Sequence, residues 1–235
     1  FNRFIHSKKI TNNIIKMEFE KERETAIKAV IAACHVAREV KGQHEQTKSD
    51  HSPVTLADLT VQAVISRMLG KVFPDDTMVG EEQSSDVVSG GGGLLEKLVE
   101  VANKAMGANE KPWSGQEWMA AIDRGGKNVG GSLGRQWVLD PIDGTKGYLR
   151  GGQYAICLAL LIGGIVKVAA MGCPNFHNGT VYVAVEGQGA YQRSILDPTE
   201  ARIHASPINS ASQAVFCESV EAGLFDFFFF FFSKK

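Results

Sequence analysis

The residues best able to do chemistry lie in one hexapeptide, Asp-Pro-Ile-Asp-Gly-Thr, at residues 140–145. Asp140 and Asp143 are three residues apart, and Pro141 between them fixes its own φ and restricts the residue before it. Such a turn can bring both carboxylates and a backbone carbonyl between them to one concave surface. Mg²⁺ prefers oxygen ligands of this kind. The hexapeptide therefore indicates a divalent-cation site.

The end of the hexapeptide suits a phosphate group. Gly144 and Thr145 can offer backbone N–H groups and a hydroxyl, as turns and helix starts that bind phosphate do. The Thr145 hydroxyl could instead act as a helix N-cap, a common use of threonine after glycine. Local sequence leaves these alternatives open. With the cation site, the pattern indicates metal-assisted hydrolysis of a phosphate ester.

A second acidic pair, Glu81 and Glu82, follows Gly80 at the end of a predicted strand over residues 77–79. A glutamate pair alone is more often a solvated surface. Beside the hexapeptide it becomes a candidate source of a further metal ligand, because a glycine at a strand end lets the chain aim a carboxylate into a cleft.

Asp58 supports two interpretations. Thr55 and Asp58 fit a variant capping box at the start of a predicted helix, with each side chain bonded to the other's backbone N–H. An aspartate beside the attacking water could instead accept its proton. The two roles are compatible in one structure, and both remain open.

The elements that must position these residues are helices in the first half and strands in the second. Apolar residues spaced by three and four predict helices, and β-rich runs around Gly163-Gly164 and around Gly187 and Gly189 predict hairpins. The order predicts a layered α+β fold. The predicted helices cover residues 18–41, 55–72, 94–106 and 116–122, the strands cover 77–79, 137–139, 154–162, 165–172, 180–185 and 190–192, and 84–93 is predicted to be a loop.

The charge balance and the apolar runs of the sequence limit the classes of binding partner that it favours. The 235 residues carry 25 Lys and Arg against 26 Asp and Glu, so no strong field favours a nucleic acid polymer or an anionic membrane. No apolar run reaches the roughly 18–20 residues of a membrane helix. A small phosphorylated molecule is the expected partner, and a monomer the expected state. Residues 1–17 are basic and lack acids, which fits a leader or the remnant of a mitochondrial or plastid transit peptide; otherwise we expect a cytoplasmic protein.

These motifs resemble a known superfamily. Glu81-Glu82 followed by the hexapeptide resembles the lithium-sensitive, Mg²⁺-dependent phosphatases that include inositol monophosphatases. The segment Ser-Pro-Val-Thr with Asp58, at residues 52–58, and the continuation at residues 146–155 are similar to the plant-type 3'(2'),5'-bisphosphate nucleotidase branch. The resemblance covers residues 18–223. It implies a layered αβαβα sugar-phosphatase fold.

The resemblance also implies roles. Glu81, Asp140, Asp143 and the Ile142 carbonyl would bind Mg²⁺, two or three ions in the full-length family. Asp58 and Thr145 would flank the attacking water, and Gly144 and Thr145 would hold the phosphate. The implied substrate is adenosine 3',5'-bisphosphate, a by-product of sulfate transfer, or 3'-phosphoadenylyl sulfate. The products would be AMP or adenylyl sulfate, with phosphate. The alternatives are an inositol polyphosphate 1-phosphatase, an inositol monophosphatase, or an inactive protein that binds cations or a partner.

After Gly223 the resemblance stops. The family continues with a C-terminal α/β domain whose Trp-Asp-x-Ala-Ala-Gly motif supplies a ligand for another metal. We therefore expect residues 18–223 to contain the N-terminal α+β domain and only the start of the C-terminal one, without that third-site ligand. Residues 224–235, with six consecutive phenylalanines, are interpreted as an aberrant low-complexity tail.

Overall fold

The computed structural model describes residues 19–41, 45–47, 53–89, 93–126 and 134–215. The chain divides into two compact units, Phe1–Ile203 and His204–Lys235. The described part of the second unit contains a short 3₁₀ helix, Ala211–Gln213. The predictions for residues 1–17 and 224–235 fall outside the described residues.

The described part of the first unit contains the four predicted helices and two more. Its described helices are α1 (Glu20–Glu39), α2 (Leu56–Val72), α3 (Ser84–Ser89), α4 (Leu94–Met106), α5 (Gly115–Gly126) and α6 (Thr145–Leu149). The prediction of a loop was wrong over α3. Backbone N–H groups at this helix start are satisfied by Asp86, which accepts from Gln83, and by Asp123, which accepts from Ser84. Val87 is buried, so capping and packing outweigh the serine-rich composition.

Strands of the first unit form a hairpin-like pair and a larger sheet. β1 (Glu45–Thr47) and β2 (Pro53–Thr55) pair antiparallel. Within the described ranges the larger sheet holds seven strands in chain order: β3 (Thr77–Val79), β4 (Arg135–Asp143), β5 (Ala155–Ile162), β6 (Ile165–Cys173), β7 (Thr180–Val185), β8 (Gly189–Ser194) and β9 (Ala201–Ile203). β3 and β4 are parallel, whereas the other neighbours are antiparallel. The predicted α+β class is confirmed.

Both predicted hairpins are present. Gly163 and Gly164 join β5 to β6 with φ of 59° and 77°, values that L side chains rarely adopt. Gly187 and Gly189 do the same between β7 and β8, with φ of 73° and 89°. Glycine at these positions lets the strands reverse without backbone strain.

One face of the sheet is packed against the helices. Side chains of β5 alternate between buried and half-buried along the strand, and those that are buried lie in the same core as α1 and α2. Complete burial of a Leu or Ile contributes roughly 1.5–3 kcal/mol. This packing holds α2 against β4, the two elements that carry Asp58 and Asp140.

A polar network fixes the start of β4. Arg135 Nε lies 2.8 Å from both carboxylate oxygens of Asp76, and its Nη2 donates to Glu22 at 2.8 Å. Trp137 Nε1 also donates to Asp76 at 2.8 Å. Because Glu22 belongs to α1, the network ties that helix to the strand.

Among the described residues, no helix is both long and apolar enough to cross a membrane.

Candidate active site

The first turn of α2 places Asp58. Thr55 is the N-cap, with extended φ and ψ of −121° and 165°. Asp58 Oδ2 accepts from Thr55 N at 2.8 Å and from Thr55 Oγ1 at 2.6 Å. The Thr55 hydroxyl accepts in turn from Ala57 N at 3.1 Å. The predicted capping box is therefore confirmed.

Asp58 is more than a surface cap, because only 1% of it is exposed. Burial raises its pKa to about 6, while the hydrogen bonds from Thr55 oppose the rise and the charge of Glu81 adds to it. A buried aspartate with a raised pKa is a better proton acceptor than a solvated one once it is ionised. The interaction with Glu81 also places the two carboxylates near each other.

A buried glutamine of α2 holds the acidic pair at the end of β3. Gln62 Nε2 donates to Glu82 O at 2.7 Å and to Ile122 O at 2.9 Å, and Gln62 Oε1 accepts from Glu82 N at 2.9 Å. A Cβ on Gly80 would lie 2.5 Å from Gln62 Oε1, so a larger residue there would displace the amide that holds Glu82. Glu82 is buried and Glu81 exposed; the solvated-surface interpretation is wrong for Glu82.

The first four residues of the hexapeptide, 140–143, form the end of β4 rather than a separate turn. Asp140 lies opposite Cys157 and Asp143 opposite Ala155, with a register shift between them. Such a bulge re-aims side chains beside a site, and Pro141 needs no ladder hydrogen bond there. β4 is longer than the predicted strand 137–139 because its pairing with β5 continues past the proline.

Asp140 lies close to three other carboxylates. Burial is the largest cause raising its pKa to about 6, followed by the negative charges of Glu81, Asp143 and Asp58. Its Oδ1 atom is buried and has no hydrogen-bond partner among the described residues. Concentrated negative charge around an unsatisfied buried oxygen is costly unless a cation or a proton joins it.

These interactions show that α2, the end of β3 and the end of β4 bring four carboxylates into one region. They belong to Asp58, Glu81, Asp140 and Asp143. No set of three or more His, Cys, Asp and Glu side chains in the described ranges is arranged as a ready-made cation cage.

Gly144 and Thr145 follow at the start of α6. Gly144 is the N-cap, in a left-handed conformation with φ 88° and ψ 44°, so the N-cap interpretation of Thr145 is wrong. Thr145 Oγ1 instead donates to Ile142 O at 3.1 Å. This bond turns the hydroxyl toward the hexapeptide and leaves its oxygen lone pairs available to a second partner.

Two contacts hold α6 in place. Tyr148 OH donates to Ala37 O at 2.9 Å, and the rings of Tyr148 and Tyr154 meet edge to face, with centroids 4.9 Å apart. Sequence reasoning missed the positioning roles of Tyr148 and Gln62. A glutamine on the apolar side of a helix was the available signal for Gln62, because a buried amide needs partners.

Comparison with known proteins first defines the fold class. Thermotoga maritima IMPase has a TM-score of 0.50 to this chain at 22% sequence identity, covering 78% of this chain and 53% of its own. The fold is therefore of the inositol monophosphatase type. Residues 12–226 match the inositol monophosphatase family, and the chain belongs to it.

Closer relatives are named as nucleotidases. The chain is 37% identical to 3'(2'),5'-bisphosphate nucleotidase from Emericella nidulans and 38% identical to that from Schizosaccharomyces pombe, with 88% of this chain covered in each case. It is 36% identical over 86% of its length to a probable 3'(2'),5'-bisphosphate nucleotidase from Arabidopsis thaliana. It spans about two thirds of these relatives, at 68, 65 and 64% of their lengths.

Proposed function

We propose that this chain is a Mg²⁺-dependent phosphatase that removes the 3'-phosphate of adenosine 3',5'-bisphosphate. The single observation that carries the proposal is the surroundings of Asp140: its Oδ1 is buried without a hydrogen-bond partner among the described residues, and burial together with the charges of Glu81, Asp143 and Asp58 raises its pKa. Negative charge gathered around a buried carboxylate oxygen is stabilised when a divalent cation binds to it.

The residues fit a hard divalent cation. Glu81, Asp140 and Asp143 would supply carboxylate oxygens. The Ile142 carbonyl, which already accepts from Thr145, has a second lone pair for a further ligand bond. Oxygen donors of this kind suit Mg²⁺. When bound, Mg²⁺ supplies Lewis-acid stabilisation of the phosphoryl oxygens and lowers the pKa of water.

The chain's own residues would do the remaining work. Asp58 would accept a proton at its carboxylate from the attacking water, and the Thr55 hydroxyl and N–H, both on Oδ2, would orient that carboxylate. Thr145, held toward Ile142 by its hydroxyl, would position the water and the phosphate, and the Gly144 backbone would help to hold the phosphate. No protein nucleophile is needed for this displacement.

The names of the relatives support a bisphosphorylated nucleotide as the substrate. The Emericella nidulans and Schizosaccharomyces pombe proteins both carry the name 3'(2'),5'-bisphosphate nucleotidase, which favours a bisphosphorylated nucleotide, including 3'-phosphoadenylyl sulfate. Membership of the inositol monophosphatase family keeps inositol phosphates as the second candidate substrates.

The test is phosphate release from purified chain with adenosine 3',5'-bisphosphate or inositol 1,4-bisphosphate, each with Mg²⁺ and with a chelator. We expect release from the nucleotide only with Mg²⁺. Faster phosphate release from inositol 1,4-bisphosphate would make an inositol phosphate the preferred substrate. Phosphate release in the presence of chelator would contradict the proposed dependence on Mg²⁺. Stabilisation by Mg²⁺ without turnover would identify a cation-binding protein instead.

A further inference from the structure

A groove lies between α2 and α5, apart from the carboxylate cluster. Its volume is about 630 Å³, within the range of small-ligand sites. Arg67 follows Asp58 by nine positions on α2, or roughly 13 Å along the helix axis. The polar and aromatic side chains that line the groove include Ser66, Arg67, Lys71, Lys111, Trp113 and Arg124.

Arg67 is the central residue of the groove. It is 6% exposed, and its guanidinium lies 4.1 Å from the ring centroid of Trp113 and 5.0 Å from that of Trp118. Nη2 donates to Lys111 O at 2.9 Å. Nη1 has no hydrogen-bond partner among the described residues. Stacking therefore fixes the guanidinium while part of its donor capacity is unused.

A second donor in the groove is also unsatisfied. The Ser66 hydroxyl oxygen is buried without a hydrogen-bond partner in the described part of the chain, although its residue is only 1% exposed. Buried polar groups nearly always have partners, and an exception calls for a specific cause. Two adjacent unsatisfied donors, on Arg67 and Ser66, point to an acceptor from outside the chain.

The chain places its own carboxylate at the mouth of this groove. Glu110 forms an ion pair with Lys71, and its Oε2 lies 3.7 Å from Arg67 Nη2, beyond hydrogen-bonding distance. The lining also includes Glu117, which accepts from Ser114. Four basic side chains thus face two acidic ones. The excess positive charge favours a ligand that carries more charge than one carboxylate.

We propose that this groove binds a phosphate group, with the carboxylate of Glu110 as its built-in competitor. A phosphate dianion offers acceptors on several sides, which suits the planar fork of Arg67, the ammonium of Lys71 and the Ser66 hydroxyl. Glu110 has a side-chain exposure of 32%, so it can swing into solvent when phosphate enters. The groove is also large enough for the phosphate group of a phosphomonoester. A free phosphate ion and a phosphomonoester would be recognised by the same basic and hydroxyl groups.

The test is calorimetric titration of the whole chain with inorganic phosphate and, separately, with AMP, in chelator. Without cations the carboxylate cluster repels anions, so binding in chelator reports the groove and does not depend on the proposed function. We expect phosphate to bind, Glu110→Gln to tighten binding by about fivefold and Lys71→Met to weaken it by about fivefold, as for partly exposed charge pairs. Tryptophan fluorescence should change with binding, because Trp113 lines the groove.

The matched control is Lys28→Met. Lys28 lies on α1, pairs with Glu24 at 3.3 Å and has 70% side-chain exposure, close to the 62% of Lys71. It should leave binding unchanged. Tighter binding of AMP than of phosphate would identify a phosphomonoester as the ligand of the groove. Equal binding of the two would identify the free phosphate ion as the ligand. No heat from either ligand with both wild type and Glu110→Gln would overturn the site, as would equal losses in the two lysine variants.

Discussion

The two ends of α2 carry opposite charge for different purposes. In the first turn, Asp58 is buried beside further carboxylates, and burial with the charge of Glu81 raises its pKa. Near the other end, Arg67 is buried against two indole rings, and the carboxylate of Glu110 lies 3.7 Å from its Nη2. One helix therefore presents an acidic site and a basic site about two and a half turns apart.

The helix macrodipole explains the sign of these charges but not their burial. Acidic side chains near a helix N-terminus and basic ones near its C-terminus stabilise the helix by about 0.3–1 kcal/mol each when exposed. Lys71, with 62% side-chain exposure, fits that role. Asp58 and Arg67 are 1% and 6% exposed. The free-energy cost of removing their charges from water is larger than the stabilisation that the helix dipole provides. We infer that each end is organised for an external ion of opposite charge.

The largest effect should come from removing one charge of the acidic end. Asp140→Asn should lower phosphate release about 1,000-fold or more, because a cation's Lewis-acid contribution is worth several kcal/mol. In chelator the same variant should unfold at a higher denaturant concentration than wild type, because repulsion with Glu81 and Asp143 is reduced. Mg²⁺ should no longer stabilise it.

The control for that variant is Asp197→Asn. Asp197 is exposed and accepts from Thr199 N at 2.9 Å, away from the cluster. Activity and stabilisation by Mg²⁺ should match wild type. If Asp140→Asn kept its Mg²⁺-dependent stabilisation, Asp140 would not be a ligand.

Asp58→Asn separates capping from proton transfer. Asparagine keeps an oxygen that can accept from the Thr55 N–H, so the helix should lose little stability, whereas loss of the proton acceptor should lower turnover about 100-fold or more. Thr55→Val is the matched variant: it removes the N-cap hydroxyl, costs about 1 kcal/mol of stability and keeps the carboxylate. Full activity in Asp58→Asn would show that Asp58 acts only as a helix-capping residue and not as the proton acceptor.

The acidic end should also set a pH dependence in the metal-free protein. The folded-state pKa values of Asp58 and Asp140 are raised from 3.8 to about 6, so between these values the folded state binds more protons than the unfolded state. The stability that results is present below about pH 4 and is lost as pH rises through about 6. For buried Asp58 the shift corresponds to about 3 kcal/mol.

Denaturant unfolding in chelator at several pH values measures this loss. The carboxylates of Glu110, which is partly exposed, and of Glu117 and Asp197, which are exposed, have lowered pKa values, from hydrogen bonds with Lys71, Ser114 and Thr199 respectively. They oppose this loss only weakly, because solvent screens them. Asp58→Asn should flatten the profile. An identical slope in wild type and variant would contradict the assigned cause.

Local chemistry made the acidic end predictable from sequence. The capping box of Thr55 and Asp58 needs only neighbours along the chain, and the spacing of apolar residues indicated α1 and α2. The full length of β4 was not predictable, because Pro141 argues against a strand and only pairing with β5 at the bulge accommodates it. Nor did sequence reveal how Gln62 holds Glu82, since 20 residues separate them.

The basic end had no local signal at all. Arg67 contacts Trp113 and Trp118 from other parts of the chain, and a lone arginine on a helix is ordinarily a solvated residue. Only the packing of α5 against α2 buries it. Sequence thus predicted chemistry carried by short-range motifs and missed chemistry assembled by tertiary contacts.

The smallest expected effect tests whether stacking holds the guanidinium in place. A double-mutant cycle of Arg67→Met and Trp113→Leu, followed by denaturant unfolding, should give a coupling energy of about 1 kcal/mol, as for partly desolvated cation–π pairs. Coupling near zero would mean that the Lys111 carbonyl and Glu110 alone hold Arg67. Its orientation would then depend on the carboxylate that phosphate must displace. Coupling of the expected size would leave the guanidinium fixed when Glu110 departs, which a preorganised anion site requires.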